Sequence, residues 1–275
     1  MAKILDGKKV AENLKFDLLQ KFQNEEQLKF IIVHHNDEAS SSYLKGRKKI
    51  SEFLNVNLIE FVIDQNLSQQ ELIQHIQQWN QDSTIHGIMV DRPLPSRFDE
   101  NIILSQINPN KDIDGYTFTN LGKLISNEKS FLSCTPAAAI QILDFYNISL
   151  EGKNVVVIGR SINVGKPLAM MLLNKNATVT IAHSKTKNLE KICKRADIIF
   201  TCVGKANFLT KNFVSKKTII VDIGINFDEH GKLCGDVAKE CYEYITAYTP
   251  VPGGVGVITN LMLMSNLYLA YKKGL

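Results

Sequence analysis

Cysteine is scarce in these 275 residues and never arranged as a framework: Cys134, Cys193, Cys202, Cys234 and Cys241 are odd in number, and no two form a Cys-x-x-Cys pair. That pattern excludes a disulfide-stapled secreted fold and a ribbon-type zinc site, and no metal is expected. No apolar run approaches the ~20 residues that cross a bilayer. The opening MAKILDGKKVAENL also lacks an apolar core of signal-peptide length, so a cytoplasmic protein without membrane contact is expected. Repeats and low-complexity tracts are absent. So are arginine-rich blocks and basic stripes interleaved with aromatics: the net charge of +4 is dispersed along the chain, which argues against nucleic acid and for small anionic ligands.

The stretch Val155 to Leu172 is the most informative part of what is present. A β-branched run, Val155 to Ile158, reads as a parallel strand buried on both faces, and Gly159 and Gly165 bracket the turn after it. Pro167 stands where a first helical turn tolerates proline. Backbone N–H groups and the positive end of the helix dipole then face whatever anion lies over the turn, which is how a protein holds a pyrophosphate. The usual G-x-G-x-x-G is missing, since Arg160 and Ser161 follow the first glycine. A second strand, Thr178 to Ala182, ends at His183 and Ser184, where an NAD-binding fold carries an acid for the ribose 2′-hydroxyl. No acid stands there. The loop His183, Ser184, Lys185, Thr186, Lys187 offers hydroxyls and cations to a 2′-phosphate, and Arg160 reaches the same region, so the cofactor reads as NADP.

Upstream, helices and strands alternate: helix 8–22, strand 30–34, helix 40–54, strand 58–63, helix 68–79 opened by a Ser68–Glu71 capping box, and strand 87–90. Residues 111–122 are turn-rich. A helix over 136–146 and strands near 154, 178, 198 and 218 follow, with the domain boundary near residue 133. An apolar helix, 259–272, comes after the glycine-rich loop 249–256 and is expected to pack back on the first domain.

The segments GRSINVGKP (159–167), ATVTIAHSKT (177–186), IIVDIGIN (219–226), GDVAKE (235–240) and TPVPGGVGVIT (249–259), with ASSSYLKGRKK (39–49), KDIDGYTFTNLGKL (111–124) and SCTP (133–136), together resemble the bifunctional methylenetetrahydrofolate dehydrogenase/methenyltetrahydrofolate cyclohydrolase family. The resemblance spans nearly the whole chain. It implies an α/β fold of two lobes: an N-terminal folate-binding catalytic domain, 1–133, completed by the C-terminal helix 257–275, and a Rossmann-like NADP-binding domain, 134–256, with a cleft between them. It also implies NADP-linked oxidation of 5,10-methylenetetrahydrofolate, hydrolysis of the methenyl product to 10-formyltetrahydrofolate for one-carbon metabolism and purine biosynthesis, and a homodimer. The cofactor would lie on Gly159, Arg160, Ser161, Gly165, His183, Ser184 and Ile225, and the folate on Tyr43, Asp114, Pro252, Gly253 and Gly254.

A pterin presents an amino group and a ring N–H side by side, a donor pair that one carboxylate accepts in parallel, and Asp114 matches the family residue for this task. Asp112 is the better candidate for holding the turn. Tyr43 matches a tyrosine that flanks the folate rings. Two positions depart from the family. Arg47 stands one helical turn after Tyr43 where the pattern has lysine, and Asp91 stands before Pro93–Leu94–Pro95 where it has glutamine. Arginine stays protonated and cannot serve as a base, so Arg47 positions or polarises while Asp91 orients or deprotonates the attacking water. A carboxylate held by a bidentate arginine is the weaker base, so the hydrolytic step would suffer more than the oxidation. A plain ion pair is the structural alternative, and Lys45, Lys48 and Lys49 read as a solvated face. Val257 and Ile258, where proline and methionine are usual, and Ser133, which replaces a proline, would reshape the folate pocket. Rival readings are a monofunctional dehydrogenase, a non-catalytic NADP- or folate-binding regulator, and a short-chain dehydrogenase. The last conflicts with the position of Tyr43 so far ahead of Gly159.

Overall fold

The structure, a computed structural model, describes residues 2–35 and 38–272, and for 38–43 the backbone alone. The chain divides into two compact α/β units: residues up to Asn13 group with Ser133–Thr259, and Leu14–Leu132 group with the residues from Asn260 on. Strand β1 (Lys3–Ile4) leads into helix α1 (Gly7–Phe22).

The smaller sheet is built from β2 (Lys29–His34), α2 (Glu38–Phe53), β3 (Asn57–Val62), α3 (Gln69–Gln81), β4 (Gly87–Val90), α4 (Glu100–Ser105) and α5 (Phe118–Ile125). Its three strands run parallel in the order β3-β2-β4. Every residue of β4 is buried, as a strand covered on both faces requires. Ile31, Val33, Leu72, Ile76, Ile88, Val90 and Ile103 form one core here. The capping box is present: Ser68 Oγ accepts from Glu71 N at 3.2 Å, and Glu71 Oε2 accepts from Ser68 N at 2.9 Å. Helix α5 lies partly inside the segment read as turns. Thr117 Oγ1 caps it, accepting from Asn120 N at 3.3 Å.

The other unit holds α6 (Cys134–Phe145), β5 (Asn154–Ile158), α7 (Gly165–Asn174), β6 (Thr178–Ala182), α8 (Leu189–Cys193), β7 (Ile198–Thr201), β8 (Ile219–Asp222), the hairpin β9 (Asn226–Phe227) and β10 (Leu233–Cys234), and β11 (Ala247–Tyr248). Helix α9 (Gly256–Tyr271) ends the described chain. The six strands β1-β11-β8-β7-β5-β6 are all parallel. The chain leaves β5 toward β6 on one side and continues from β7 toward β8 on the other, so a crevice opens beyond the ends of β5 and β7, the usual ligand site of such sheets. The first residues differ from the boundary read in the sequence: Lys3 pairs with Ala247 and Ile4 with Tyr248, so they belong to this sheet.

Asparagine follows four of the helices, in both units. Asn55, Asn127, Asn147 and Asn176, each two residues beyond a helix, take φ of 54, 56, 54 and 62°. Asparagine tolerates the left-handed conformation that stops a helix better than other side-chain-bearing residues.

Candidate active site

In the three-stranded unit, the turn carrying Asp114 is held from several directions. Asp112, buried at 3% exposure, accepts from the N–H groups of Gly115, Tyr116 and Thr117 at 2.9, 3.2 and 2.7 Å and from Asn120 Nδ2 at 2.8 Å. Four donors on one carboxylate make Asp112 the brace of the turn. Asn266 of α9, also buried, donates from Nδ2 to the carbonyls of Ile113 at 2.8 Å and Leu132 at 2.9 Å. Gly115, at φ 72°, leaves no room for a side chain beside the carbonyl of Phe131. The Arg92 guanidinium lies 3.8 Å from the centre of the Tyr116 ring. Asp114 itself is half-buried at the tip.

Arg47 of α2 and Asp91, just past β4, meet. Arg47 Nη1 lies 2.7 Å from both Asp91 Oδ1 and Oδ2, with the two side chains 9% and 10% exposed. One nitrogen therefore straddles the carboxylate, whereas a bidentate fork would use two. The Asp91 N–H donates to Val33 O at 2.8 Å, which fixes its backbone to β2. Tyr43 lies in α2, and its side chain falls outside the described residues. Lys48 keeps 44% of its side chain exposed and adds an ion pair to that face: its Nζ pairs with Glu60 Oε1 at 2.8 Å, and Glu60 Oε2 lies 3.6 Å from the buried His34 Nε2. Lys45 and Lys49 are exposed.

In the six-stranded unit, Gly159 and Gly165 make the strand–turn–helix possible. A Cβ on Gly159, at φ 135°, would collide with Cys202 Sγ, and one on Gly165 would collide with Gly159 O. The Gly159 N–H donates to Ala182 O at 2.9 Å, so Arg160 and His183 each follow one end of that bond, and Arg160 and Ser184 are exposed there. Ser161 does more inside the protein than a free donor would. Its Oγ accepts from Val164 N at 3.1 Å and Gly165 N at 3.4 Å, and its carbonyl accepts from Lys166 N at 3.0 Å. Several N–H groups expected to face an anion are thus spent on the turn. The next loop is compact: His183 N donates to Thr186 Oγ1 at 2.8 Å and Lys185 N to His183 Nδ1 at 3.2 Å. Burial pushes the Cys202 thiol up to about 12, so it stays protonated beside the turn.

Two interlocked acids that the sequence reading passed over shape the neighbouring loops. Asp222 accepts from the N–H groups of Gly224, Asp236 and Val237 at 2.9, 3.1 and 3.0 Å and from Thr201 Oγ1 at 3.1 Å. Asp236 accepts from Val203 N, Lys205 N and Asn226 Nδ2 at 2.8, 2.9 and 3.0 Å. A Cβ on Gly235 would strike the Asp222 carboxyl and one on Gly224 the Asp236 carboxyl, so IIVDIG and GDV carried the signal as two matched Asp and Gly pairs. Burial pushes Asp222 up to about 6, with the N–H donors pulling it back and the charge of Asp236 adding to the rise. Ile225, beside this knot, is 47% exposed. The loop Pro252–Gly254 receives Gly7 N on Gly253 O at 2.9 Å, and Lys8 Cε lies 3.6 Å from where a Gly253 side chain would begin. Gly7 and Lys8, in the opening ILDGKK, are a second omission.

Two family models match: "Tetrahydrofolate dehydrogenase/cyclohydrolase, catalytic domain" over residues 5–114 and "Tetrahydrofolate dehydrogenase/cyclohydrolase, NAD(P)-binding domain" over residues 133–275. The bifunctional protein FolD of Bacillus subtilis is 42% identical over 286 residues, covering 100% of this chain and 99% of that protein. That of Campylobacter concisus is 45% identical over 279 residues, covering 98% and 97%. Among solved structures, the bifunctional FolD of Campylobacter jejuni superposes with TM-score 0.96 at 38% identity over 100% of both chains. The Trypanosoma brucei enzyme, complexed with NADP cofactor and inhibitor, superposes with TM-score 0.92 at 27% identity over 99% of this chain and 98% of that one. The chain belongs to the tetrahydrofolate dehydrogenase/cyclohydrolase family.

Proposed function

We propose that this protein oxidises 5,10-methylenetetrahydrofolate to 5,10-methenyltetrahydrofolate with NADP and hydrolyses the product to 10-formyltetrahydrofolate. The observation that carries this reading is the braced turn at Asp114, where four donors on Asp112 and two bonds from Asn266 hold one half-buried carboxylate in place. Such a rigid acceptor suits the paired N–H donors of a pterin. When bound, NADP supplies the hydride acceptor. The residues present fit it: Gly159 and Gly165 leave a turn that any side chain would fill, and Arg160, Ser184, Lys185 and Lys187 stand exposed with no acid among residues 183–187.

Each chain residue then has a defined task. Asp114 orients the pterin, and the substrate's own nitrogen lone pair drives hydride loss. Asp91 orients or deprotonates the water that attacks the methenyl carbon, and Arg47 fixes its carboxylate. Tyr43 flanks the folate rings, and Pro252, Gly253 and Gly254 let backbone approach the ligands. The catalytic domain is the three-stranded unit, the protein works in the cytoplasm as a homodimer, and its product supplies one-carbon units, including those for purine biosynthesis. No helix among the described residues is long and apolar enough to cross a membrane.

Purified protein given methylenetetrahydrofolate and NADP is expected to form NADPH, and given methenyltetrahydrofolate to hydrolyse it faster than buffer does. Loss of the first activity with Asp114→Ala, NADP binding intact, supports the assignment. An unchanged KM for folate in that variant overturns it.

A further inference from the structure

The six-stranded unit carries a cavity of about 580 Å³ that shares only Lys187 with the residues fitted to NADP. It begins at Lys187 and runs to the starts of β5 and β6, the ends of those strands opposite to Gly159 and His183. Its floor follows from the register. Asn154 pairs with Thr178 and Val156 with Thr180, so these four share one face of the sheet. Farther along that face Ile158 and Ala182 join Val156, Cys193 and Ala196 in the core. Helix α8 has only 5 residues and is too short to cover the rest, which leaves Asn154, Thr178 and Thr180 open.

The wall is cationic. Lys191 of α8 and Lys187 and Arg195, which flank that helix, all line the cavity. Among the described residues none of the three has a salt-bridge partner. No carboxylate lines the cavity, and Asp197 beside it is engaged, accepting from Asn154 N at 2.9 Å. Cations on one side, hydroxyl and amide donors on the other, and a volume within the usual ~300–1,000 Å³ range for small-molecule sites match an anion rich in acceptor oxygens. We propose that this groove is a second binding site, separate from the cofactor turn, for a small compound bearing two or more phosphoryl charges. The proposal does not depend on the folate chemistry.

Calorimetric titration of NADP-saturated protein at low salt, with inorganic pyrophosphate in one arm and ATP in another, tests it. The expected result is one equivalent bound, weakened about tenfold in Lys191→Glu/Arg195→Glu and progressively by added salt. Equal affinity in the two arms assigns recognition to the phosphoryl groups, and tighter ATP binding assigns it to a nucleotide; both support the site. Because both substituted side chains are exposed, the variant is expected to keep the parent's unfolding temperature and dehydrogenase rate. Three results overturn the proposal: no heat of binding at millimolar ligand, undiminished binding in the folded variant, or loss of binding whenever NADP is present.

Discussion

Arg47 holds Asp91 through a single nitrogen, Nη1, 2.7 Å from each carboxylate oxygen. Because the pair is buried, removing the cation leaves an uncompensated charge. Arg47→Leu is therefore expected to destabilise the protein by about 3 kcal/mol or more in urea, whereas a change under about 1 kcal/mol would show the pair to be energetically idle.

The same pair sets an expectation for chemistry. Arg47→Lys replaces a fixed cation with one able to give up its proton, so methenyltetrahydrofolate hydrolysis is expected to rise several-fold while NADPH formation changes less than twofold. Equal changes in both rates would mean that Arg47 only shapes the pocket.

Asn266→Leu removes both bonds to the Ile113 and Leu132 carbonyls. The expected cost is about 1–3 kcal/mol of stability. With Asp114 no longer held, KM for methylenetetrahydrofolate is expected to rise about tenfold while the Kd for NADP stays constant. Faster amide exchange in residues 113–117 would locate the effect in the turn; a loss of kcat alone would argue against it.

Asp222 gives the stability curve a sign. Its carboxyl titrates at about 6 in the folded protein against an ordinary 3.8, so the fold binds this proton more tightly than the unfolded chain. Its contribution is greatest below about 3.8 and is lost as pH rises through about 6, by up to about 3 kcal/mol. Against Asp222→Asn, wild type should therefore lose relative stability between pH 4.5 and 7.5. A pH-independent difference between the two proteins would contradict the buried charge.

Coenzyme choice is expected to turn on the end of β6. Ser184→Asp places a carboxylate where a ribose hydroxyl would donate to it and a 2′-phosphate would be repelled, so kcat/KM with NADP should fall at least tenfold relative to NAD. An unaltered ratio would move phosphate recognition elsewhere.

How much of this was legible in the chain depended on the length scale of each interaction. Helix α3 and strand β4 were read closely because their signals, a Ser68–Glu71 box and a bounded apolar run, are local. The two-residue strands β1 and β11 carry no period to read, and only their pairing defines them. Asp112 as holder of the turn followed from turn chemistry, whereas the pterin role of Asp114 and the pairing of Arg47 with Asp91 were expectations from the family pattern, of which the structure brings together Arg47 and Asp91. The one-nitrogen geometry of that pair was not legible, because it depends on where α2 is set against β4. Asn266 stayed hidden as one polar residue inside an apolar helix, with partners more than a hundred positions away. That the Ser161 hydroxyl oxygen also closes the turn, accepting from Val164 N and Gly165 N, has no signal in the spacing.

The interlock of Asp222 over Gly235 and Asp236 over Gly224 bears on redesign. Neither acid has space to lengthen and neither glycine can take on a side chain alone, so these four positions can be exchanged only as a set. The loop after β6 lies outside that constraint. A protein engineer seeking a different redox partner can therefore randomise the exposed residues Ser184, Lys185 and Lys187 and expect folded libraries, while libraries that touch the interlock should collapse to the parent.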